Sequence, residues 1–341
     1  MKRVSRANLS LCGLSLTTAL TILFASATDS GAQQSSGWQS GQNLDDHPVL
    51  KRWLEKRRAR GSKPTVLRPA AKSGTTAADC RQFLDLAYGP APLQKLDVFS
   101  PKSGTNLPVV FFVHGGGWKR GDKKMHQSKA FSYVARDMVF ISTNYRMAPK
   151  VKHPVIIEDV AEAFAWTRQH IAEYGGNPDC IYIMGHSAGA HLVDLLATND
   201  RFLKQKGLTL ANIKGVISLD TASLNLLEMK KADTFEGQFV GDLIENAFGS
   251  DPKVLTDGSP TLNLQKGKNY PPFLIYCGEK RKSGVSEQKS FVKALEEAGG
   301  KADLKIVPLN HAEINLQASD PGSSEFPQIM DFINQTKNVS R

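Results

Sequence analysis

The chain has 341 residues, of which 40% are hydrophobic and 22% are charged, a balance that excludes fibrous and wholly disordered proteins. The formal net charge is +10, but residues 47–72 hold nine Lys and Arg against one acid, and residues 73–341 hold only +2. The main body of the chain is therefore nearly neutral, which argues against a nucleic-acid-binding domain.

Residues 1–27 have the pattern of a secretory signal peptide. Three cations precede an apolar stretch that ends in small residues. Cleavage after Ala27 fits the small-x-small rule, and Ala32 offers a second site. The alternative is a membrane anchor, because the apolar run is nearly long enough to span a bilayer. The Ser and Thr content of the run favours cleavage, so we expect export to the periplasm or the extracellular space.

Residues 28–79 are predicted to form a disordered basic linker. They are rich in Gln, Ser, Gly, Lys and Arg and short of large apolar residues. Within the linker, the basic segment 47–72 could contact an acidic surface such as a membrane or a polyanion. The simpler interpretation, which we favour, is a solvated run of charge. Nothing in the sequence indicates the oligomeric state.

Strand and helix patterns alternate from residue 80 onward. After an opening hairpin at residues 81–100, strands are predicted at 108–113, 138–146, 179–185, 213–220, 271–278 and 302–311. Helices are predicted at 131–137, 155–176, 188–199, 286–300 and 323–336. Residues 221–270 hold helical fragments and turn residues. The pattern predicts one α/β domain over residues 80–338, with a mostly parallel eight-stranded sheet, helices on both faces and a minimal cap.

The first chemical motif is Gly185-His186-Ser187-Ala188-Gly189, which falls between a predicted strand and a predicted helix. A nucleophilic serine at such a corner is exposed above the sheet, and only small neighbours permit the turn. The helix that follows adds a favourable dipole and free backbone N–H groups. The alternative is an ordinary tight turn. We predict that Ser187 is a nucleophile, with the Ala188 N–H as one oxyanion donor.

The second motif is a run of three glycines, residues 115–117, at the end of an apolar strand. Such a run lets backbone N–H groups approach a developing oxyanion without interference from a Cβ atom. A phosphate-binding loop would continue into Gly-Lys-Ser or Gly-Lys-Thr. This one continues into Trp118-Lys119-Arg120, which favours an oxyanion loop.

The general base must come from the eight histidines of the chain. In the α/β-hydrolases, which the serine motif resembles, the chain order is Ser, then acid, then His. His311 alone lies at the end of the last predicted strand, after Ser187 in chain order, and we predict that it is the base. The alternative for His311 is an ordinary surface histidine.

These motifs resemble the α/β-hydrolases of the esterase/lipase type, over nearly all of residues 80–335. The chain is similar to the secreted acetylxylan/feruloyl-type esterases and to the kynurenine formamidase-like hydrolases. The resemblance implies an α/β-hydrolase fold, Ser187 as nucleophile, His311 as base, and oxyanion donors at Gly116, Gly117 and Ala188. It implies no cofactor and no metal.

The acid departs from the family pattern. Members usually place an Asp three residues after the glycine that ends the preceding strand, whereas here Gly278 is followed by Arg281 at that place. Glu279 is the carboxylate at this strand end, and we predict that it is the third catalytic residue. Asp220, at the end of the strand before, is the alternative. A third alternative is that neither serves, which leaves a weak dyad or an inactive site.

The sequence therefore predicts a serine hydrolase that acts on short-chain or aryl esters, with acyl groups on a polysaccharide as a candidate substrate. One alternative is an amidase of the kynurenine formamidase kind. Another is a non-catalytic binding protein with a hydrolase fold. Cys180 and Cys277 abut predicted strands, and we expect them to be small buried residues and not parts of a disulfide or zinc site.

Overall fold

The computed structural model describes residues 80–232 and 235–339. The predicted signal peptide, linker and basic segment lie outside these residues. Within the described ranges, no helix combines the length and the apolarity needed to cross a bilayer.

The core is one eight-stranded sheet, as predicted. Its spatial order is β1-β2-β4-β3-β5-β6-β7-β8. The hairpin of β1 and β2 is antiparallel and β2 pairs antiparallel with β4, while every other pair is parallel. The strands are β1 (Cys80–Ala87), β2 (Lys95–Pro101), β3 (Leu107–Val113), β4 (Val139–Thr143), β5 (Gly176–His186), β6 (Gly215–Leu219), β7 (Phe273–Gly278) and β8 (Ala302–Val307).

The central strands are buried on both faces because helices cover the sheet on each side. In β3, Phe111 belongs to the core on one face and Phe112 to the core on the other, as the alternation of a strand requires. The helices are α1 (Gln127–Val134), α2 (Val155–His170), α3 (Ala188–Thr198), α4 (Arg201–Lys204), α5 (Leu226–Lys231), α6 (Phe235–Phe248), α7 (Pro252–Asp257), α8 (Lys282–Glu297), α9 (His311–Gln317) and α10 (Glu325–Thr336).

The functional candidates follow the carboxyl ends of neighbouring parallel strands. Ser187 follows β5, Asp220 follows β6, Glu279 follows β7, and His311 begins α9 shortly after β8. In an open parallel sheet these ends share one edge, which is where ligands bind. The helices α5, α6 and α7 lie between β6 and β7 in the chain, where the sequence predicts a minimal cap. With 14 residues, α6 is longer than the helical fragments expected there. Cys180 and Cys277 are buried free thiols, as expected.

Candidate active site

Ser187 occupies the strained corner between β5 and α3. Its backbone has φ 57° and ψ −119°, a left-handed region that a residue with a Cβ atom rarely adopts. The corner is possible because Gly189 lets α3 approach β3: a Cβ atom at Gly189 would lie 2.1 Å from the Val113 carbonyl oxygen. This is the geometry that exposes a serine hydroxyl above a sheet.

The main chain of Ser187 is fixed to the end of β6. Its N–H donates to the Leu219 carbonyl at 3.0 Å, and its own carbonyl accepts from the N–H groups of His191 and Ala222 at 3.0 and 3.1 Å. The corner and the residues around Asp220 are therefore held as one unit.

The glycine loop lies directly against this corner. A Cβ atom at Gly115 would lie 2.7 Å from the His186 carbonyl oxygen and 3.1 Å from Ser187 Cβ. The loop then turns through Gly116 and Gly117, both at positive φ. The structure thus brings the predicted glycine loop beside the predicted nucleophile, and α3 begins at the next residue, Ala188.

Buried aromatic side chains stabilise the glycine loop. Trp118 is fully buried, and its indole N–H donates to His191 Nδ1 at 3.3 Å, while His191 Nε2–H donates to the Gly258 carbonyl at 2.8 Å. Burial lowers the pKa of His191 to about 3, so its ring is neutral and can serve as both acceptor and donor. His114 stacks on Tyr145 with the ring centroids 4.6 Å apart.

Leu243 of α6 covers the loop from the cap side. A Cβ atom at Gly117 would lie 2.9 Å from Leu243 Cδ1, so the leucine side chain stands directly over this glycine. Leu243 was not singled out from the sequence, because nothing in the local pattern of α6 shows which side chain reaches the loop.

His311 is the first residue of α9 and is presented by a capping box. The Asn310 side chain accepts from the N–H groups of Ala312 and Glu313, and the Glu313 side chain accepts from the Asn310 N–H. His186 Nε2–H donates to the His311 carbonyl at 2.9 Å, and the two rings lie 4.4 Å apart. His311 is therefore held beside the corner that carries Ser187.

The carboxylate against His311 belongs to Asp220 and not to Glu279. His311 Nδ1–H donates to Asp220 Oδ2 at 2.5 Å, and the Asp220 side chain is fully buried. Glu279 has an exposed side chain, and its N–H donates to the Val307 carbonyl at 2.9 Å. The prediction that Glu279 is the partner of His311 is therefore corrected: the carboxylate in contact with His311 is that of Asp220, the alternative named from the sequence. Because β6 lies between β5 and β7, its end is nearer to the serine.

Three donors surround the carboxylate of Asp220. Besides His311, the Gly278 N–H donates to Oδ1 at 3.2 Å, and Arg281 Nη1 lies 2.9 Å from the same oxygen. Burial raises the pKa of Asp220, but the hydrogen bond from His311 and the charge of Arg281 outweigh burial and lower this pKa to about 2. Asp220 is therefore ionised at neutral pH.

The loop after Asp220 is fastened to α8. Arg281 Nη1 donates to the Thr221 carbonyl at 3.1 Å. Glu287 accepts from Ser223 Oγ and from the N–H groups of Leu224 and Asn225, all between 2.7 and 2.8 Å. These contacts were not predicted, because they join residues about 60 positions apart in the sequence.

Two further buried titratable side chains lie near the site. Burial raises the pKa of Asp194 to about 8, and its carboxyl accepts from Ser218 Oγ at 2.8 Å, beside the end of β6. Burial lowers the pKa of Lys129 to about 7, and its amine donates to the Asn315 carbonyl of α9 at 2.6 Å. In the part of the chain that the structure describes, no group of three His, Cys, Asp or Glu residues is arranged to hold a metal ion.

The sequence is similar to known esterases. Residues 96–295, more than half of the chain, match the BD-FAE family. The chain is 30% identical over 247 residues to the probable isoprenylcysteine alpha-carbonyl methylesterase ICMEL1 of Arabidopsis thaliana, which covers 68% of this chain and 51% of that protein. It is 32% identical over 269 residues to esterase LipQ of Mycobacterium tuberculosis, covering 74% and 62%. The chain thus spans about half to three-fifths of the length of these relatives.

Solved structures share the fold. Esterase B from Lactobacillus rhamnosis superposes with a TM-score of 0.65 at 18% identity, covering 85% of this chain and 92% of that one. A truncated carbohydrate esterase from gut microbiota superposes with a TM-score of 0.64 at 19% identity, covering 79% and 99%. Sheet order, serine corner and sequence similarity agree, and the chain therefore belongs to the BD-FAE family, within the α/β-hydrolase superfamily of esterases and lipases.

Proposed function

We propose that the protein is a carboxylic-ester hydrolase that uses Ser187 as its nucleophile. The observation that carries this proposal is the contact of 2.5 Å between His311 and the buried Asp220, formed beside the strained corner of Ser187. A histidine held by an ionised carboxylate next to a serine is the arrangement of a serine hydrolase.

In the first half of the reaction, Asp220 fixes the tautomer of His311. Because Nδ1 keeps its proton for the carboxylate, Nε2 is free to accept the proton of the Ser187 hydroxyl. The serine oxygen attacks the ester carbonyl, and the negative charge on the carbonyl oxygen is stabilised by the N–H groups of Gly116, Gly117 and Ala188. His311 then donates its proton to the leaving alcohol as the acyl-enzyme forms.

In the second half, water attacks the acyl-enzyme and His311 acts again as base and then as acid. The cost of forming an imidazolium is reduced by the negative charge of Asp220 in contact with the ring. The hydrogen bonds between the corner and the end of β6 keep the nucleophile and Asp220 at a fixed separation, which contributes to the rate.

The substrate class is proposed from the cap. Leu243 stands over Gly117 and limits the space next to the oxyanion loop, which favours small acyl groups. Esters of short acids with aryl alcohols, or acetyl groups on a polysaccharide, fit this limit. The name of the Arabidopsis relative adds a methyl ester of a prenylated cysteine as a second candidate substrate, with a small alcohol as the leaving group.

The test compares wild type with Ser187→Ala on 4-nitrophenyl acetate, and labels both proteins with a fluorophosphonate probe. We expect hydrolysis and labelling by wild type, and loss of both in Ser187→Ala by at least about 10³-fold. Ser286→Ala, an exposed serine on α8, is the matched control and should behave as wild type. A wild type that neither turns over nor labels would overturn the proposal and favour a non-catalytic role.

A second assay ranks the candidate substrates by their rates of hydrolysis. Acetylated xylan, a prenylcysteine methyl ester and N-formylkynurenine are compared at equal concentration, and N-formylkynurenine tests the amidase alternative.

Export is part of the proposal as well. N-terminal sequencing of the protein recovered outside the cytoplasm should begin at Thr28 or Gln33 if the predicted cleavage sites are used.

A further inference from the structure

Arg281 is the one residue of the basic stretch 280–282 that the structure places against Asp220. Its guanidinium lies 2.9 Å from Asp220 Oδ1 and donates to the Asp220 and Thr221 carbonyl groups at 3.5 and 3.1 Å. The Arg281 side chain is only 18% exposed, whereas Lys280 and Lys282 on either side are exposed. The arginine thus belongs to the buried surroundings of the acid.

The two oxygens of Asp220 serve different partners. Oδ2 accepts from His311 Nδ1 at 2.5 Å, and Oδ1 faces Arg281 and the Gly278 N–H. One buried carboxylate therefore bridges a permanent cation and a histidine that must become a cation during the reaction. The guanidinium partly neutralises the charge of the carboxylate, which then stabilises the imidazolium less. The positive charge of the guanidinium also repels the imidazolium directly.

Resting on the proposed function, we propose that Arg281 is a positioning residue that fixes the carboxylate of Asp220 on His311 and extends the activity of the site to lower pH. Its charge makes His311 a weaker base, so that the imidazole stays neutral, and able to accept the Ser187 proton, under more acidic conditions. Both groups contact the same carboxylate, so their charges lie close together. Two unit charges about 6 Å apart at an effective dielectric constant of about 20 to 40 interact by about one to two pH units.

Other charged groups face the same site. From the serine corner, His186 contacts His311, and burial lowers the pKa of His186 well below its usual value, so that it is neutral. From α8, Glu287 lies near Arg281, and burial raises the pKa of Glu287. From α1, Lys129 contacts α9, and on α9 itself Glu313 caps the helix. Arg281 also lowers the pKa of Glu287, so Arg281→Lys, which keeps the charge, is compared with Arg281→Gln to separate the charge of the arginine from other effects of the substitution.

The experiment measures kcat/KM for 4-nitrophenyl acetate from pH 4.5 to 9 in wild type, Arg281→Gln and Arg281→Lys. The acidic limb of this profile reports the essential base of the free enzyme. We expect Arg281→Gln to move the acidic limb upward by about one to two pH units. The acidic limb of Arg281→Lys should lie close to that of wild type, because lysine keeps the positive charge. Lys280→Gln, an exposed neighbour, should move the limb by less than about 0.3 units because solvent screens its charge.

A second readout does not need turnover. The protonation midpoint of the His311 ring is followed by NMR on ¹⁵N-labelled protein and assigned with His311→Gln, and it should move by the same amount in Arg281→Gln. A folded Arg281→Gln whose profile and NMR midpoint both coincide with those of wild type would overturn the inference. If wild type fails to hydrolyse the ester, the proposed function fails, and the NMR midpoint alone decides on Arg281.

Discussion

The assignment of the acid makes the sharpest prediction, because two carboxylates compete for the role and a single substitution separates them. In Asp220→Asn, the amide oxygen can keep the place of Oδ1, where Arg281 and the Gly278 N–H both donate. The amide NH₂ then faces His311 Nδ1, which must accept instead of donate. The proton of the imidazole moves to Nε2, and His311 can no longer accept the proton of Ser187.

The expected loss follows from this change of tautomer. In a serine protease, the same Asp to Asn substitution costs about 10⁴ in kcat, which corresponds to ~5 kcal/mol of transition-state stabilisation. Here the contact between Asp220 and His311 is equally direct, at 2.5 Å, and the carboxylate is fully buried, so water does not replace it. We therefore expect kcat to fall by about 10³ to 10⁴ in Asp220→Asn.

The assay is steady-state hydrolysis of 4-nitrophenyl acetate at pH 7.5, with circular dichroism and thermal melting to confirm that each variant is folded. The matched control is Glu279→Gln, which removes the carboxylate at the next strand end. Because the Glu279 side chain is exposed, we expect its kcat to stay within about threefold of wild type.

Two results would refute this reasoning. If folded Asp220→Asn kept more than about a tenth of the wild-type kcat, Asp220 would not control the tautomer of His311. If Glu279→Gln lost as much activity as Asp220→Asn, the exposed glutamate would have to approach His311 during the reaction, and the arrangement described above would not be the working one.

Two further predictions concern the buried carboxyl of Asp194 and the Leu243 side chain above Gly117. Burial raises the pKa of Asp194 to about 8 in the folded protein, whereas in the unfolded chain this side chain ionises above about pH 4. The free energy of unfolding therefore falls as the pH rises from about 4 to about 8. Asp194→Asn should therefore raise Tm more at pH 8 than at pH 5, and equal changes at both pH values in thermal melts would contradict this. Leu243→Ala removes the side chain above Gly117 and should raise kcat/KM for nitrophenyl hexanoate relative to acetate by at least about fivefold; an unchanged ratio would place the acyl group elsewhere.

Much of this protein can be predicted from short stretches of sequence. The strand before Ser187, the small residues around it and the helix after it specify the corner through local sterics alone. The glycine run at 115–117 is equally local, because backbone N–H groups need no partner from elsewhere in the chain. The alternation of strand and helix patterns also predicts the sheet and its two covered faces. The choice of His311 among the histidines needed only its position after Ser187 in the chain.

The acid could not be predicted in the same way. Asp220 and His311 are 91 residues apart, and both Asp220 and Glu279 end strands at the same edge of the sheet. Which of them reaches the imidazole depends on the order of the strands in space and on the direction of each side chain at its strand end. The contact of Arg281 with Asp220 could not be predicted either, because the two residues lie on separate elements and the sequence neighbours of Arg281 are exposed lysines.

The fold, the serine corner, the glycine loop and His311 could thus be predicted from the chain alone, because each depends on residues that are adjacent in the chain or on chain order. Three contacts needed the folded molecule: Asp220 faces His311, Arg281 shares the carboxylate of Asp220, and Leu243 covers Gly117. Each of these contacts joins side chains from separate elements, whose distances are fixed by strand order, helix packing and burial.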